Sequence, residues 1–468
     1  MSFMIAFGIA SILLCVGMII RSKISFIRNM LVPASVIAGI LGLVLMNTNL
    51  IQATNAEMFM IIVTQLFTIT FISIGLTSNN KNNKEDAVGK QIVKGAVGLG
   101  MLWNLLYALT PVAGIVVALL IGSYFGMDAL YGLLIPFAFA QGPGQAATFG
   151  AIFEQQYGIE NAAMVGLTFA AIGFIACFLV GVPIAKYGLK RGLAKKYGES
   201  EIKNYIKRGY YTKDDKRESI GQETVFSGNM DTMTFHFTMI GICYVLALGM
   251  AYLVSLIPGA GPTLGGMLFI YGMLAGYLVK MILKKLRLDH LLDNTFQTKI
   301  TGWSTDYLVV CSFMAVQFSI IGQWIVPIII ESIVITILTV AVVLYFGKRL
   351  GGDNDFSRTL GLLGTSLGTV PSGIALVRII EPSLRSTTAI ELGMMNIPMM
   401  FSYVTVTTIM MIMAGTLSVT AGILWLLAPI PLYLILLKVF KVWGRKTYDF
   451  KENIETSERK EKSYAKVL

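Results

Sequence analysis

Charge is scarce in this chain of 468 residues: Asp, Glu, Lys and Arg make up only 13 % of it, against roughly 25 % in soluble domains. Hydrophobic residues fill 55 % of the chain and the mean hydropathy is +0.71. Together these exclude an ordinary water-soluble fold. Metal-binding chemistry is equally thin. The four cysteines, Cys15, Cys177, Cys243 and Cys311, lie singly in apolar runs, no Cys-x-x-Cys occurs, and the two histidines, His236 and His290, are far apart. A zinc site or disulfide framework has no spacing to build on, and such thiols pack as small hydrophobes. No Gly-Lys-Ser/Thr phosphate loop occurs, which argues against ATP-driven pumping by this chain. No acidic cluster lies at a helix end to hold Mg²⁺ and a diphosphate. These absences leave no enzyme constellation and no cofactor site. The apolar run 4–20 has no basic residue before it, no small-residue cleavage site follows, and Arg21, Lys23 and Arg28 come after it. It reads as a first helix inserted with its N-terminus outside, not as a secretion signal.

What the chain does have is a series of apolar runs, each long enough at about 20 residues to cross a bilayer as a helix. The first half predicts helices over 4–20, 31–45, 57–76, 98–121 and 160–184. The second of these opens with Pro33, tolerated in a first turn because its missing N–H has no partner to lose. The second half predicts helices over 237–256, 263–281, 305–322, 326–346 and 387–412, and a further apolar run covers 418–437. Two stretches do not fit. Gln141-Gly-Pro-Gly-Gln-Ala-Ala-Thr-Phe-Gly150 and Gly361-Leu-Leu-Gly-Thr-Ser-Leu-Gly-Thr-Val-Pro-Ser-Gly373 are glycine-rich and polar between apolar flanks. Irregular backbone at membrane depth is tolerated only where it is buried in protein or lines a wet cavity. Such breaks in corresponding places of two halves point to a secondary-transporter site.

The basic residues give an orientation. With this layout, all 37 Lys and Arg fall on one side of the membrane, the side predicted to be cytoplasmic. The net charge of +11 is therefore an orientation signal and not a nucleic-acid footprint. Eleven spans follow, with the N-terminus outside and the C-terminus in the cytoplasm. The expected fold is an all-α polytopic membrane protein of two inverted five-helix repeats, each with a re-entrant hairpin, plus one extra C-terminal transmembrane helix. The expected divisions are a first repeat over 1–185 with its re-entrant loop at about 129–158, and a basic cytoplasmic linker over 186–235. They continue with an inverted repeat over 236–413 with its loop at about 357–378, an extra helix over 414–438 and a charged tail over 439–468. An odd number of spans per unit inverts the second, and Phe71-Ile-Ser-Ile-Gly75 is echoed by Phe318-Ser-Ile-Ile-Gly322, expected at the end of the helix over 305–322.

In the first break the polar groups are Gln141, Gln145 and Thr148 and the bare backbone of Gly142 and Gly144; glycine lets the chain turn with positive φ and lets a ligand approach. In the second they are Thr365, Ser366, Thr369 and Ser372 and the backbone at Gly368. Carbonyls and hydroxyls suit Na⁺, for which Thr365, Ser366 and Gly368 are the expected ligands, and exposed N–H groups at a half-helix start suit a carboxylate. Glycine-rich packing of close helices is the plainer alternative. Asn161 either joins the substrate site or caps the helix it precedes. Arg378 either pairs a substrate carboxylate or anchors the inner boundary. Gln317 and Asn396 are polar residues in apolar runs, suited to hydrogen bonds between helices. Glu391 is an acid about a turn from the inner end of its helix, functional or simply solvated.

With these residues in place the chain resembles the bacterial sodium/glutamate symporter family. The resemblance is carried by Gly142-Pro-Gly-Gln-Ala-Ala-Thr-Phe149, Phe153, Tyr157-Gly158, Asn161-Ala162 and Gly181-Val-Pro-Ile-Ala-Lys-Tyr187. Leu367-Gly-Thr-Val-Pro-Ser-Gly-Ile-Ala375, Pro398, Val32-Pro-Ala-Ser-Val-Ile-Ala-Gly39 and Ile74-Gly75-Leu76 add to it. The resemblance implies two inverted five-helix domains, a re-entrant loop in each, and Na⁺-coupled uptake of glutamate or a related small carboxylate by alternating access. It places the protein in the bacterial cytoplasmic membrane. Na⁺ is then the coupling ion, and the expected partners are Na⁺, the carboxylate and lipid, with no nucleic acid; a homodimer is left open. The chain departs from the family pattern at Pro143, Gln145, Met164 and Leu376, where the family has His, Thr, an acid and Asn. Transport of a different organic anion on the same fold, or a channel, are the alternatives.

Overall fold

The computed structural model describes residues 2–30, 32–77, 86–194, 205, 208–215, 217, 219–258, 261–352, 354–381, 386–395 and 398–450. Among these there is no strand. The principal helices are α1 (Ser2–Lys23), α2 (Ala34–Asn47), α3 (Ala56–Leu76), α4 (Asp86–Ile121), α5 (Ile135–Gln141), α6 (Pro143–Tyr157), α7 (Ala162–Lys190) and α8 (Thr232–Ser255). They continue as α9 (Leu268–Lys285), α10 (Asn294–Met314), α11 (Ile325–Gly347), α12 (Asp355–Ser366), α13 (Val370–Ile380) and α14 (Thr388–Met394). The last are α15 (Tyr403–Met413), α16 (Val419–Leu427) and α17 (Pro429–Val439).

Among the described residues seven helical stretches are long and apolar enough to cross a membrane, so this is a multi-pass membrane protein. They are α1, α3, α4, α7, α8, the stretch Phe318–Gly347 that ends in α11, and Val419–Val439. An eighth is formed if α14 and Pro398–Met413, bent by 43°, count as one span. Eleven were expected. Helices stand at the other three places as well, but each falls short of that standard for its own reason. With 14 residues, α2 is only about 21 Å long in a hydrocarbon core of roughly 30 Å. The last turn of α9 carries Lys284 and Lys285. Polar residues dilute α10, which also begins earlier and ends earlier than the expected 305–322. Its start is fixed by Asp293, whose side chain accepts from the Phe296 N–H at 2.6 Å. Beyond its end, Asn47 of α2 accepts from the Phe318 N–H at 2.6 Å, so Phe318–Gly322 opens the next span instead of closing this one. Most of the linker between 195 and 207 and the tail beyond 450 lie outside the described residues.

The helices pack as two groups that cut across the halves of the sequence. One holds α1–α3 with α8–α10; the other holds α4–α7 with α11–α17. Each group thus takes helices from both halves. In the first, α3 and α9 approach closely because neither carries a side chain at the contact: a Cβ on Gly75 would lie 3.1 Å from the Gly276 Cα. The groups meet where α3 and α10 lie against α6, and α10 against α7. Lys and Arg residues in the last turns of α1, α7 and α9 mark the basic end of the bundle.

Candidate functional site

Both glycine-rich stretches are breaks between helices that fold back on each other. At the first, α5 stops at Gln141 and α6 starts at Pro143. Gly142 makes the turn with φ 83° and ψ −174°, a region open essentially to glycine alone. Pro143 follows at the helix start, where it has no hydrogen bond to lose. Phe137 of α5 stacks on Phe149 of α6 with centroids 3.7 Å apart, holding the two arms together. At the second break, α12 ends at Ser366 and α13 begins at Val370, with Pro371 in its first turn. These arms touch backbone to backbone: a Cβ on Gly364 would lie 2.6 Å from the Gly373 Cα.

The two breaks meet. A Cβ on Gly142 would lie 2.5 Å from the Thr369 methyl and 3.6 Å from the Gly368 carbonyl oxygen. The N-termini of α6 and α13 therefore converge on one place, together with the C-termini of α5 and α12. Helix N-termini present unpaired N–H groups and partial positive charge; C-termini present carbonyls and partial negative charge. The arrangement offers an anion and a cation adjacent places without a fixed ion pair. Behind it runs α7, with Gly166 and Gly173 admitting the Ala146 and Leu367 carbonyl oxygens, each 3.0 Å from where a Cβ would stand. In front is the other helix group: a Cβ on Gly144 would fall 2.0 Å from the Phe67 ring of α3. Phe67, Phe71 and Phe269 form a cluster there, with centroids 4.9 to 5.1 Å apart.

The expected site residues divide by place. Gln141, Gly142, Gly368, Thr369 and Ser372 stand at the meeting point. Gln141 is oriented by the Tyr107 hydroxyl, which donates to its Oε1 at 3.0 Å. Thr369 and Ser372 share a hydrogen bond of 3.3 Å. Gly144 and Gln145 lie in the first turn of α6, with Gln145 buried. One turn along, Thr148 donates to the Gly144 carbonyl at 2.9 Å. Thr365 donates to the Gly361 carbonyl at 2.8 Å, leaving its oxygen lone pairs for a ligand. The buried Ser366 hydroxyl has no hydrogen-bond partner among the described residues.

Two residues stand elsewhere. Asn161 lies past the far end of α6, whose 15 residues span about 22 Å. It adopts φ 56° and its side chain makes no cap hydrogen bond; Glu154 instead accepts from the Ala163 N–H at 2.9 Å. Arg378 is exposed in the last turn of α13, nine residues or about 13 Å along the helix from Thr369. Asn396 lies outside the described residues.

The sequence reading missed a buried charge interaction. Glu391, expected to be functional or solvated, is fully buried in α14 and grips Arg358 of α12 by two hydrogen bonds of 2.6 and 2.7 Å. Arg358 also reaches Asp355 at 3.3 Å and the Gly351 carbonyl at 2.9 Å. Such a forked, charge-assisted pair fixes orientation as well as adding energy. It fastens the base of the second break to α14. A charged pair in two apolar runs was the available signal; nothing local shows that residues 33 apart meet.

A family model described as sodium/glutamate symporter matches residues 1–385 of this chain. The sodium/glutamate symporter of Haemophilus influenzae is 21 % identical over 380 residues, covering 79 % of this chain and 86 % of that protein. The sodium/glutamate symporter of Escherichia coli is 25 % identical over 193 residues, covering 39 % of this chain and 43 % of that protein. Among solved structures, a sodium proton antiporter from Methanocaldococcus jannaschii aligns over 86 % of this chain and 97 % of its own, with a TM-score of 0.36 and 14 % identity, a likeness too loose to bear on the fold.

Proposed function

The chain belongs to the sodium/glutamate symporter family, and from that premise we propose that it takes up glutamate or a related small carboxylate with Na⁺ by alternating access. The observation that carries this reading is the contact of Gly142 with Thr369, which brings two helix N-termini and two helix C-termini to one point. In the proposed cycle the carboxylate takes the free N–H groups at the starts of α6 and α13, beside Gln145 and Ser372. Na⁺ takes the oxygens of Thr365, Ser366 and Gly368. We take the two breaks as re-entrant hairpins of two inverted repeats, and the basic end as the cytoplasmic face of a bacterial cell membrane. The group holding both breaks moves against the group of α1–α3 and α8–α10, with the Phe67 cluster as the sliding surface. The membrane potential drives the cycle when more cations than anionic charges move, at about 2.3 kcal/mol per net charge per 100 mV.

A different organic anion is the second reading, and one observation favours it. Leu376, where the family has Asn, packs on α7: a Cβ on Gly181 would lie 2.5 Å from its methyl carbon. An apolar contact there leaves one polar group fewer for the substrate side chain. Na⁺-dependent binding of labelled glutamate to the purified protein, with other dicarboxylates as competitors, tests the choice. Glutamate binding that strengthens with Na⁺ and weakens in Gln145→Ala and Ser372→Ala supports the first reading. A competitor that binds where glutamate does not supports the second, and binding of no carboxylate contradicts both.

A further inference from the structure

A second acid lies within an apolar span, on a helix that carries neither break. Glu331 is the seventh residue of α11, within the candidate span Phe318–Gly347. It has no exposed surface. Neither carboxylate oxygen has a hydrogen-bond partner among the described residues. An ionised carboxylate in that position costs far more than the fold can offset, so it must bind a cation or a proton.

The surroundings decide between these. Na⁺ would need further oxygens beside the carboxylate, and no hydroxyl hydrogen-bonds to either Glu331 oxygen among the described residues. Among the described residues no group of three or more His, Cys, Asp or Glu side chains is placed to hold a metal. The helices packed against α11 are α4, α7 and α12. Their charged residues stand toward the basic end: Lys90 and Lys94 near the start of α4, Lys186 and Lys190 in the last turns of α7, and Asp355 and Arg358 in the first turn of α12. Tyr187 lies with them. Farther in, Tyr107 is engaged with Gln141, and Cys177 of α7 faces the Gly364 carbonyl at 3.8 Å. None of these groups bonds to Glu331.

We propose that Glu331 is a proton-binding site, holding a proton in this closed arrangement and releasing it when water reaches the contact of α11 with α4 and α7. A neutral carboxylic acid is the form of this side chain that the buried, unpartnered position accommodates at least cost. Glu331 lies on a helix that carries neither break, so it gives the protein a proton dependence beyond the groups at their meeting point.

Infrared spectra of the purified protein in lipid test this without any substrate. The difference between wild type and Glu331→Gln at neutral pH is expected to show loss of one protonated-carboxyl band, at the position of an acid without a hydrogen bond to its carbonyl. Loss of an ionised-carboxylate band instead overturns the proposal. If the variant does not fold, the wild type alone suffices: with isotope-labelled glutamate, absence of any non-bonded protonated-carboxyl band at neutral pH overturns it equally. Disappearance of the band on exchanging K⁺ for Na⁺ at constant pH would make Glu331 a sodium ligand and also overturn it. None of these outcomes depends on which carboxylate is transported, so the proposal can fail while the transport reading stands.

Discussion

Replacing Gly142 by alanine should damage the site by two separable routes. The first is backbone strain. At φ 83° and ψ −174° a residue with a Cβ costs about 1–3 kcal/mol. The second is the meeting of the breaks. The new Cβ would stand 2.5 Å from the Thr369 methyl, where carbon atoms prefer roughly 3.5–4.0 Å; forcing them apart costs about 1–3 kcal/mol more. Each kilocalorie acts on the population of the binding-competent arrangement, and about 1–3 kcal/mol corresponds to a 5- to 150-fold loss. The assay is Na⁺-dependent glutamate uptake, with thermal unfolding of each variant alongside. Thr369→Ser removes the methyl and keeps the hydroxyl. In that background Gly142→Ala should lose its steric part and retain its strain, so the two substitutions should couple by about 1 kcal/mol or more. Wild-type uptake and stability in Gly142→Ala would refute the strained turn. Additive effects of the pair would refute the contact between the breaks.

Other substitutions give further checks. Glu391→Gln should lower stability, by up to about 3–5 kcal/mol, because Arg358 is left buried with only the longer pairing to Asp355, whereas Arg358→Met with Glu391→Met should cost much less; thermal unfolding decides, and equal losses would count against the pair. Asn161→Ala should leave the apparent affinity for substrate unchanged within about twofold, a shift worth roughly 0.4 kcal/mol, since the residue stands a whole helix from the breaks; a large rise in the required glutamate concentration would return it to the site. Asp215, outside the spans, is held below the usual carboxylate range, first by the Thr212 N–H and hydroxyl and then by Arg208. Because its value is lowered by folding, the order it lends the linker is present above the unfolded value of about 3.9 and is lost as pH falls below that; the protection of the Thr212 amide, its exchange rate relative to the intrinsic rate at the same pH, should fall in that window and hold on raising the pH.

The breaks were legible because glycine and proline state backbone needs locally. Gly142 and Pro143 carry the turn they suggested, and the apolar runs mark helices at each expected place. What the sequence hid is long-range. The end of α10 depends on Asn47, 271 residues away from the Phe318 N–H that it captures. The grouping of α1–α3 with α8–α10 follows from close approaches such as Gly75 on Gly276, which no pattern within one helix reveals. Glu331 went unremarked because a single acid barely disturbs an apolar run, and only its burial without partners gives it meaning. The base of the second break is also covered by the chain after α17. Thr447 donates to Asp355 at 2.6 Å and Tyr448 pairs with Thr359 at 2.7 Å, contacts made from beyond the part that the family model matches.

The most direct test of the central claim is gradient-driven uptake. Purified protein in sealed vesicles receives labelled glutamate with an inward Na⁺ gradient and no pH difference, or with an inward H⁺ gradient and no Na⁺. Accumulation above the outside concentration under the Na⁺ gradient, abolished when K⁺ replaces Na⁺, is the predicted result. Equilibration without accumulation, or accumulation indifferent to Na⁺, would contradict sodium-coupled transport by this chain.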